Sequence, residues 1–325
     1  MNEFQNNIFF ARRIRSFLWR IQSPIHRDLV WLIGSHSLFQ NSTLVPCVSS
    51  QMFQNFFLEA ENWFLEEDKN PERLLAFVDT PRKYKLGLYA EDLFLYFLRY
   101  GSFYEVLAHD LQIFCGTSCI GAMDFIVQSK EGGVEHWEMA MKYFVQHHPS
   151  SDWKDFIGPT GKDNLERKLQ KMLQRQLLLS QQNTAIDYLE TLGIPKPTTH
   201  KIISLGLFFH HVDHVFIPPI SGELNQPTGF WCQKSVFLER KNNSASLWFV
   251  MRHPKWLAPI LTKQKHDLLS IEQLMEVFVS MEDFVMVAEM QCCEQGWEEI
   301  QRWIVVVDHW KRIPDPIDTT LLQYP

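Results

Sequence analysis

Apolar positions change their spacing twice along this chain of 325 residues. Over roughly the first eighty they recur at three and four, the spacing of one helix face. Ser23 followed by Pro24 reads as a helix start, with Leu29, Val30, Leu32 and Ile33 as its buried side. Phe57, Leu58, Phe64 and Leu65 mark a second helix over about 56–67, which Glu59, Glu61, Glu66 and Glu67 keep wetted. Leu86, Ala90, Leu93, Phe94 and Phe97 share one arc and predict a helix from Leu86 to Tyr100. The spacing then tightens to two, in runs at 106–114, 120–127 and 136–145 separated by glycines, and these read as strands. A helix over 164–180 and a strand over 202–209 follow. Further on, Ser270 with Gln273 has the spacing of a capping box, and 284–290 and 303–307 read as strands. The central order of helix, three strands, helix, strand predicts an α/β core with a mixed sheet.

Length predicts more than one structural unit. The expected division is an N-terminal helical extension (1–80), an α/β core (81–215) and a C-terminal α+β extension (216–325). A hydrophobic content of 46% excludes disorder as the main state. With 31 basic and 38 acidic residues, the chain does not coat nucleic acid by global charge, although a local basic groove stays open. Six cysteines make no disulfide framework at this length. No apolar run is long enough to cross a bilayer, and Arg12, Arg13, Arg15 and Arg20 break the N-terminal apolar stretch. A cytoplasmic protein without membrane contact is therefore expected. Six tryptophans beyond residue 230 form either core or a base-stacking surface.

Candidate chemistry concentrates in the strand-like runs. Alternation places Glu138, Ala140, Lys142 and Phe144 on one face of the third run, and Trp137, Met139, Met141 and Tyr143 on the other. In the preceding run Asp124 shares a face with Ile120, Ala122 and Ile126. Charges in such a layer need partners or a metal. Two carboxylates on neighbouring strands suit Mg²⁺ or Mn²⁺, with Lys142 to orient water or hold a phosphate oxygen. A buried ion pair between Lys142 and a carboxylate is the competing expectation. Glu91 borders the apolar arc of its helix and is a candidate third metal ligand. Gln176 falls within the apolar face of the 164–180 helix and should point at Asp124 and Glu138. Arg167, Lys168, Lys171 and Arg175 form a basic stripe on one flank, a track for DNA or RNA phosphates. Two weaker metal candidates are Cys115 with Cys119, and the run His210 to His214. The glycine-rich nucleotide loops, the nucleophile elbow and the zincin motif are absent.

These residues resemble the PD-(D/E)XK nuclease-like superfamily, in which a helix, three strands, a helix and a strand carry Asp on the second strand and Glu-x-Lys on the third. The segments Leu86 to Leu93, Gly121 to Phe125, His136 to Lys142 and Leu165 to Leu177 are also similar to a bacterial family, domain-of-unknown-function 1853. So are Gly296 to Glu299 and Asp308 to Trp310. The resemblance implies a restriction-endonuclease-like mixed-sheet core flanked by helices. It implies Asp124, Glu138 and Glu91 as metal ligands, and Lys142 and Gln176 beside them. Ala140 stands where the motif lysine belongs, and Lys142 comes two residues late. The expected function is a metal-dependent phosphodiesterase on nucleic acid. The alternative is an inactive nuclease-like fold that binds nucleic acid or protein.

Overall fold

The computed structural model describes residues 3–78, 85–102, 104–224, 226–241, 246–252 and 256–311. The helices are α1 (Glu3–Leu18), α2 (Pro24–Gly34), α3 (Ser50–Glu67), α4 (Glu72–Val78), α5 (Leu86–Tyr100), α6 (Leu165–Lys171), α7 (Asn183–Thr191), α8 (Lys234–Lys241) and α9 (Ile271–Val279). The strands are β1 (Glu105–Cys115), β2 (Ser118–Gln128), β3 (Val134–Gln146), β4 (Phe156–Ile157), β5 (Thr199–His211), β6 (Thr228–Gln233), β7 (Leu247–Val250), β8 (Leu261–Thr262), β9 (Phe284–Cys293) and β10 (Gly296–Val306).

The ten strands of the described residues join one mixed sheet, ordered β1-β2-β3-β5-β6-β10-β9-β7, with β4 on β3 and β8 on β10. β1, β2 and β3 form an antiparallel meander, and β5 runs parallel to β3 after a helical crossover. Parallel pairing of β6 with β5 and with β10 carries the sheet across residue 216 without a break. The segment expected as a C-terminal extension thus completes the same sheet. The boundary expected at 80/81 lies outside the described residues. The Ser270 capping box forms as expected, but Ser23 does not cap α2 with its side chain. Its N–H is taken by the Asp68 carboxylate at 2.9 Å.

Two different layers cover the sheet. The apolar face of β3 (Trp137, Met139, Met141, Tyr143) packs on the N-terminal helices, where Phe94 of α5 meets Phe125 and Trp137 at 5.5 and 6.2 Å between ring centroids. The other face, with Ala140, Phe144, Ile202 and Phe208, packs on α6. Trp231, Trp248 and Trp303 are buried, and Trp256, Trp297 and Trp310 pack against the core, so these rings build it and do not form a stacking platform.

A buried polar junction ties the helical layer to the C-terminal strands. Arg302 of β10 forks onto Glu299 at 2.9 and 3.0 Å and donates to the carbonyls of Trp256 and Ala258 at 2.6 and 3.1 Å. Asp28 of α2 accepts from the Ala258 N–H and from the Tyr89 hydroxyl of α5, at 2.9 and 2.8 Å. Burial pushes the Asp28 carboxyl up to about 6.

Two stability measurements follow from this packing. Gly206 faces Lys142 across β5 and β3 at φ 141°, and a Cβ there would lie 1.7 Å from the Lys142 carbonyl oxygen. Gly206→Ala should therefore cost about 3 kcal/mol or more in denaturant unfolding. Arg302→Ala, which strands Glu299 in the core, should cost about 3–5 kcal/mol; a loss below about 1 kcal/mol in either variant contradicts the packing described.

Candidate active site

The ladder between β2 and β3 runs from Gln128↔Val134 to Phe125↔Trp137 and stops there. Beyond that pair β2 stays with β1, and β3 stays with β5. Two side chains cap the backbone at the parting. The Asp124 N–H donates to Glu138 Oε1 at 3.3 Å, and the Met139 N–H donates to Asp124 Oδ2 at 2.8 Å. Each carboxylate thus closes the other strand's open end, which brings the two into direct contact. Asp110 lies beside this parting on β1, between the pairs His109↔Phe125 and Leu111↔Met123, with a left-handed φ of 48°. A non-glycine residue held there is strained, a feature concentrated at functional sites.

Glu138 is fully buried. Its Oε1 also meets His136 Nε2 at 2.9 Å, and its Oε2 accepts from Gln176 Nε2 at 2.5 Å. His136 is equally buried, and its Nδ1 lies 2.9 Å from the Ser180 hydroxyl. Burial pushes His136 down to about 4, so the ring is neutral; when it donates Nε2–H to Glu138, its Nδ1 accepts the Ser180 proton. Burial drives both carboxyls the other way, to about 7 each, and for Asp124 the Glu138 charge adds to the rise. Two charges side by side in so buried a site repel, so the pair holds on to one proton between them.

The helix above supplies the counter-charge. Asn164 caps α6 through a 2.9 Å bond from the Arg167 N–H. The helix continues through a π turn at Met172–Gln176, where the Leu177 N–H reaches back five residues to the Met172 carbonyl at 2.9 Å. Buried contacts accordingly fall at Leu165, Leu169 and Met172 and then step by five to Leu177. The wider turn keeps Gln176 over the sheet, as anticipated from its place among the apolar positions. Its carbonyl oxygen is buried without a hydrogen-bond partner. Lys168 sits beside the pair: burial lowers its pKa, while Asp124 and Glu138 pull it back up. Lys171 adds a weaker field on Glu138.

Of the predicted site residues, the structure brings together Asp124, Glu138 and Gln176. Lys142 shares their face but is 45% exposed and pairs with Asp163 at 3.4 Å. Four residues of extended chain carry it past the carboxylates. Glu91 belongs to α5, whose buried side packs on the opposite face of the sheet. Among the described residues no three His, Cys, Asp or Glu side chains gather as a metal site, so the structure does not bring Glu91 together with the acid pair. Nor do Cys115 with Cys119, both exposed at the β1–β2 turn, or the His210 run belong to such a group. There His211 meets Gln233 at 3.3 Å and Asp213 pairs with Arg240. Of the basic stripe, Arg167 and Lys168 are half-buried, and only Lys171 and Arg175 are exposed.

Sequence reasoning missed two partners. His136 was visible two residues before Glu138, on the same strand face. Ser180 carried no signal. Lys168 was expected on a phosphate track; its place three after Leu165 and four before Met172 puts it at the edge of the buried arc.

The class defined here is a mixed α/β protein with a buried acid pair beneath a basic helix. The model of a family described as a domain of unknown function (DUF1853) matches residues 27–306, and the chain belongs to that family. No curated protein and no solved structure matches it.

The folded pair keeps protons that ordinary carboxyls, at 3.8 and 4.5, release on unfolding. Stability from these groups is therefore complete below about pH 4 and is lost as pH climbs through about 7. In chelator-treated buffer, unfolding free energy should fall by about 2–4 kcal/mol across that interval. Asp124→Asn should flatten the fall, and a level profile for the parent protein would contradict the raised values.

Proposed function

We propose that the protein is a metal-dependent phosphodiesterase acting on DNA or RNA, built on the PD-(D/E)XK plan. One observation carries this reading: two buried carboxylates meet where two strands part, within the field of a half-buried lysine. The order α5, β1, β2, β3, α6, β5, with Asp on the second strand and Glu on the third, supports the superfamily assignment.

The donor set fits Mg²⁺ or Mn²⁺. Asp124 and Glu138 retain free lone pairs, and the Gln176 carbonyl oxygen is a buried acceptor without a donor. Two carboxylates and an amide oxygen leave room for water and a phosphate oxygen, as these hard cations prefer. A divalent ion also removes the repulsion that burial imposes on the acid pair. Bound there, it would polarise a phosphodiester and acidify a water.

This chain's own residues do the rest. Gln176 and His136 hold the Glu138 carboxylate in one orientation. Lys168 takes the part of the motif lysine, from the helix and not from the strand. Its depressed pKa suits a group that steers or deprotonates an attacking water. Lys171 and Arg175 continue the positive track outward for the backbone of the nucleic acid, with Arg167 beside them and Lys142 near Lys168.

A second reading has its own support. Both Glu138 oxygens are already engaged by protein donors, which suits a non-catalytic module that binds nucleic acid or protein without metal. Purified protein with Mn²⁺ or Mg²⁺ on single-stranded DNA, duplex DNA and RNA separates the two. We expect cleavage, reduced at least about 100-fold in Asp124→Ala and Glu138→Ala and a comparable amount in Lys168→Ala, but only a few-fold in Lys142→Ala. Calorimetry should show saturable Mn²⁺ uptake that Glu138→Ala abolishes. Nucleic-acid binding with neither cleavage nor Mn²⁺ uptake would establish the second reading instead.

A further inference from the structure

The opposite side of the sheet holds a cavity that the acid pair does not use. It encloses about 470 Å³ between α1, α2, β5 and β10, within the size range of small-molecule sites. Glycines shape two of its walls. A Cβ on Gly34 would lie 2.4 Å from Ile14 Cδ1, so α1 and α2 meet closely there. Gly206 presents bare backbone from β5, and its carbonyl accepts from Gln226 Nε2 at 3.1 Å. Ile14, Leu18, Trp31, Leu207 and Ile300 supply much of the apolar lining.

Two polar side chains, each more than nine-tenths buried, line this apolar space with unmet hydrogen-bonding capacity. Gln226, 8% exposed, has spent an amide N–H on Gly206, and its Oε1 is buried with no partner. His36, 7% exposed, leaves Nδ1 in the same condition. Buried polar atoms in this state call for a partner brought in from outside, a donor in the case of Gln226 Oε1.

The charge at the rim is one-sided. Arg12 and Arg15 line the cavity from α1, and neither has a carboxylate partner among the described residues. Arg13 between them is already forked onto Glu61 at 2.8 and 2.9 Å. Deeper in, Glu299 and Arg302 satisfy each other. The open end is therefore positive, in a chain whose net charge is -7.

We propose that this cavity binds a small amphipathic anion: a carboxylate or phosphate monoester at Arg12 and Arg15, an apolar body along Ile14, Leu18 and Leu207, and a hydroxyl or amino donor to Gln226 Oε1. The site is separate from the acid pair, and its occupancy needs neither metal nor nucleic acid.

The test titrates the full chain with 6-hydroxy-2-naphthoate, 2-naphthyl phosphate and neutral 2-naphthol, followed by calorimetry. At least one anion should bind saturably with a submillimolar dissociation constant. The tighter of the two tells whether the site suits carboxylate or phosphate. Arg12→Glu with Arg15→Glu should weaken that anion by about tenfold or more and leave 2-naphthol unchanged. Ala11→Trp, on the exposed surface of α1 at the cavity, should abolish binding of all three. Both variants alter surface positions, and unchanged unfolding midpoints establish that they fold. The proposal is overturned if neither anion saturates, if 2-naphthol binds more tightly than both anions, or if either folded variant binds the anion like the parent.

Discussion

Burying two carboxylates side by side where two strands separate is the costly act around which one face of this protein is organised. In an intact ladder the amides of Asp124 and Met139 could have been satisfied by backbone carbonyls. Because β2 and β3 part after Phe125 and Trp137, the two N–H groups turn to carboxylates, and the carboxylates are drawn together. Main-chain donors offset part of the desolvation, but both groups still end as much weaker acids than ordinary carboxyls. The neutral His136, the Gln176 amide and the Lys168 ammonium are responses to that debt.

The two faces of the sheet solve different problems. Across β3, one set of side chains is apolar and locks the N-terminal helices in place through aromatic contacts. The other set admits Glu138 and His136 only because α6 and its π turn bring polar partners over them. β5 is common to both, and Gly206 opposite Lys142 lets the strands meet without a side chain at that point. The junction around Arg302 and Asp28 then binds the helical layer to strands near the end of the described chain. The sheet runs unbroken through β6 and β10, so the C-terminal segment pairs directly with the strands before it.

Much of this was legible along the chain. Two-residue alternation located β1, β2, β3 and β5 and the faces of Asp124 and Glu138, because a strand has only two faces and an ionisable group on a crowded one is conspicuous. The apolar spacing over α6 located Gln176 for the same reason. The short strands β4, β6, β7 and β8 and the helices α4, α7 and α8 went unread, since segments of two to nine residues contain too few repeats to establish a period.

What the sequence by itself determined is the longer elements around the site and the presence of two acids on neighbouring strands. The tertiary structure alone decided which face α5 covers, which separates Glu91 from the acid pair, and which lysine stands over the carboxylates. A periodicity orders residues around one helix or strand but carries no information on how that element is laid across its neighbours. Lys142 has the right face yet overshoots along its strand, whereas Lys168 acts on the pair because α6 packs on that face of the strand.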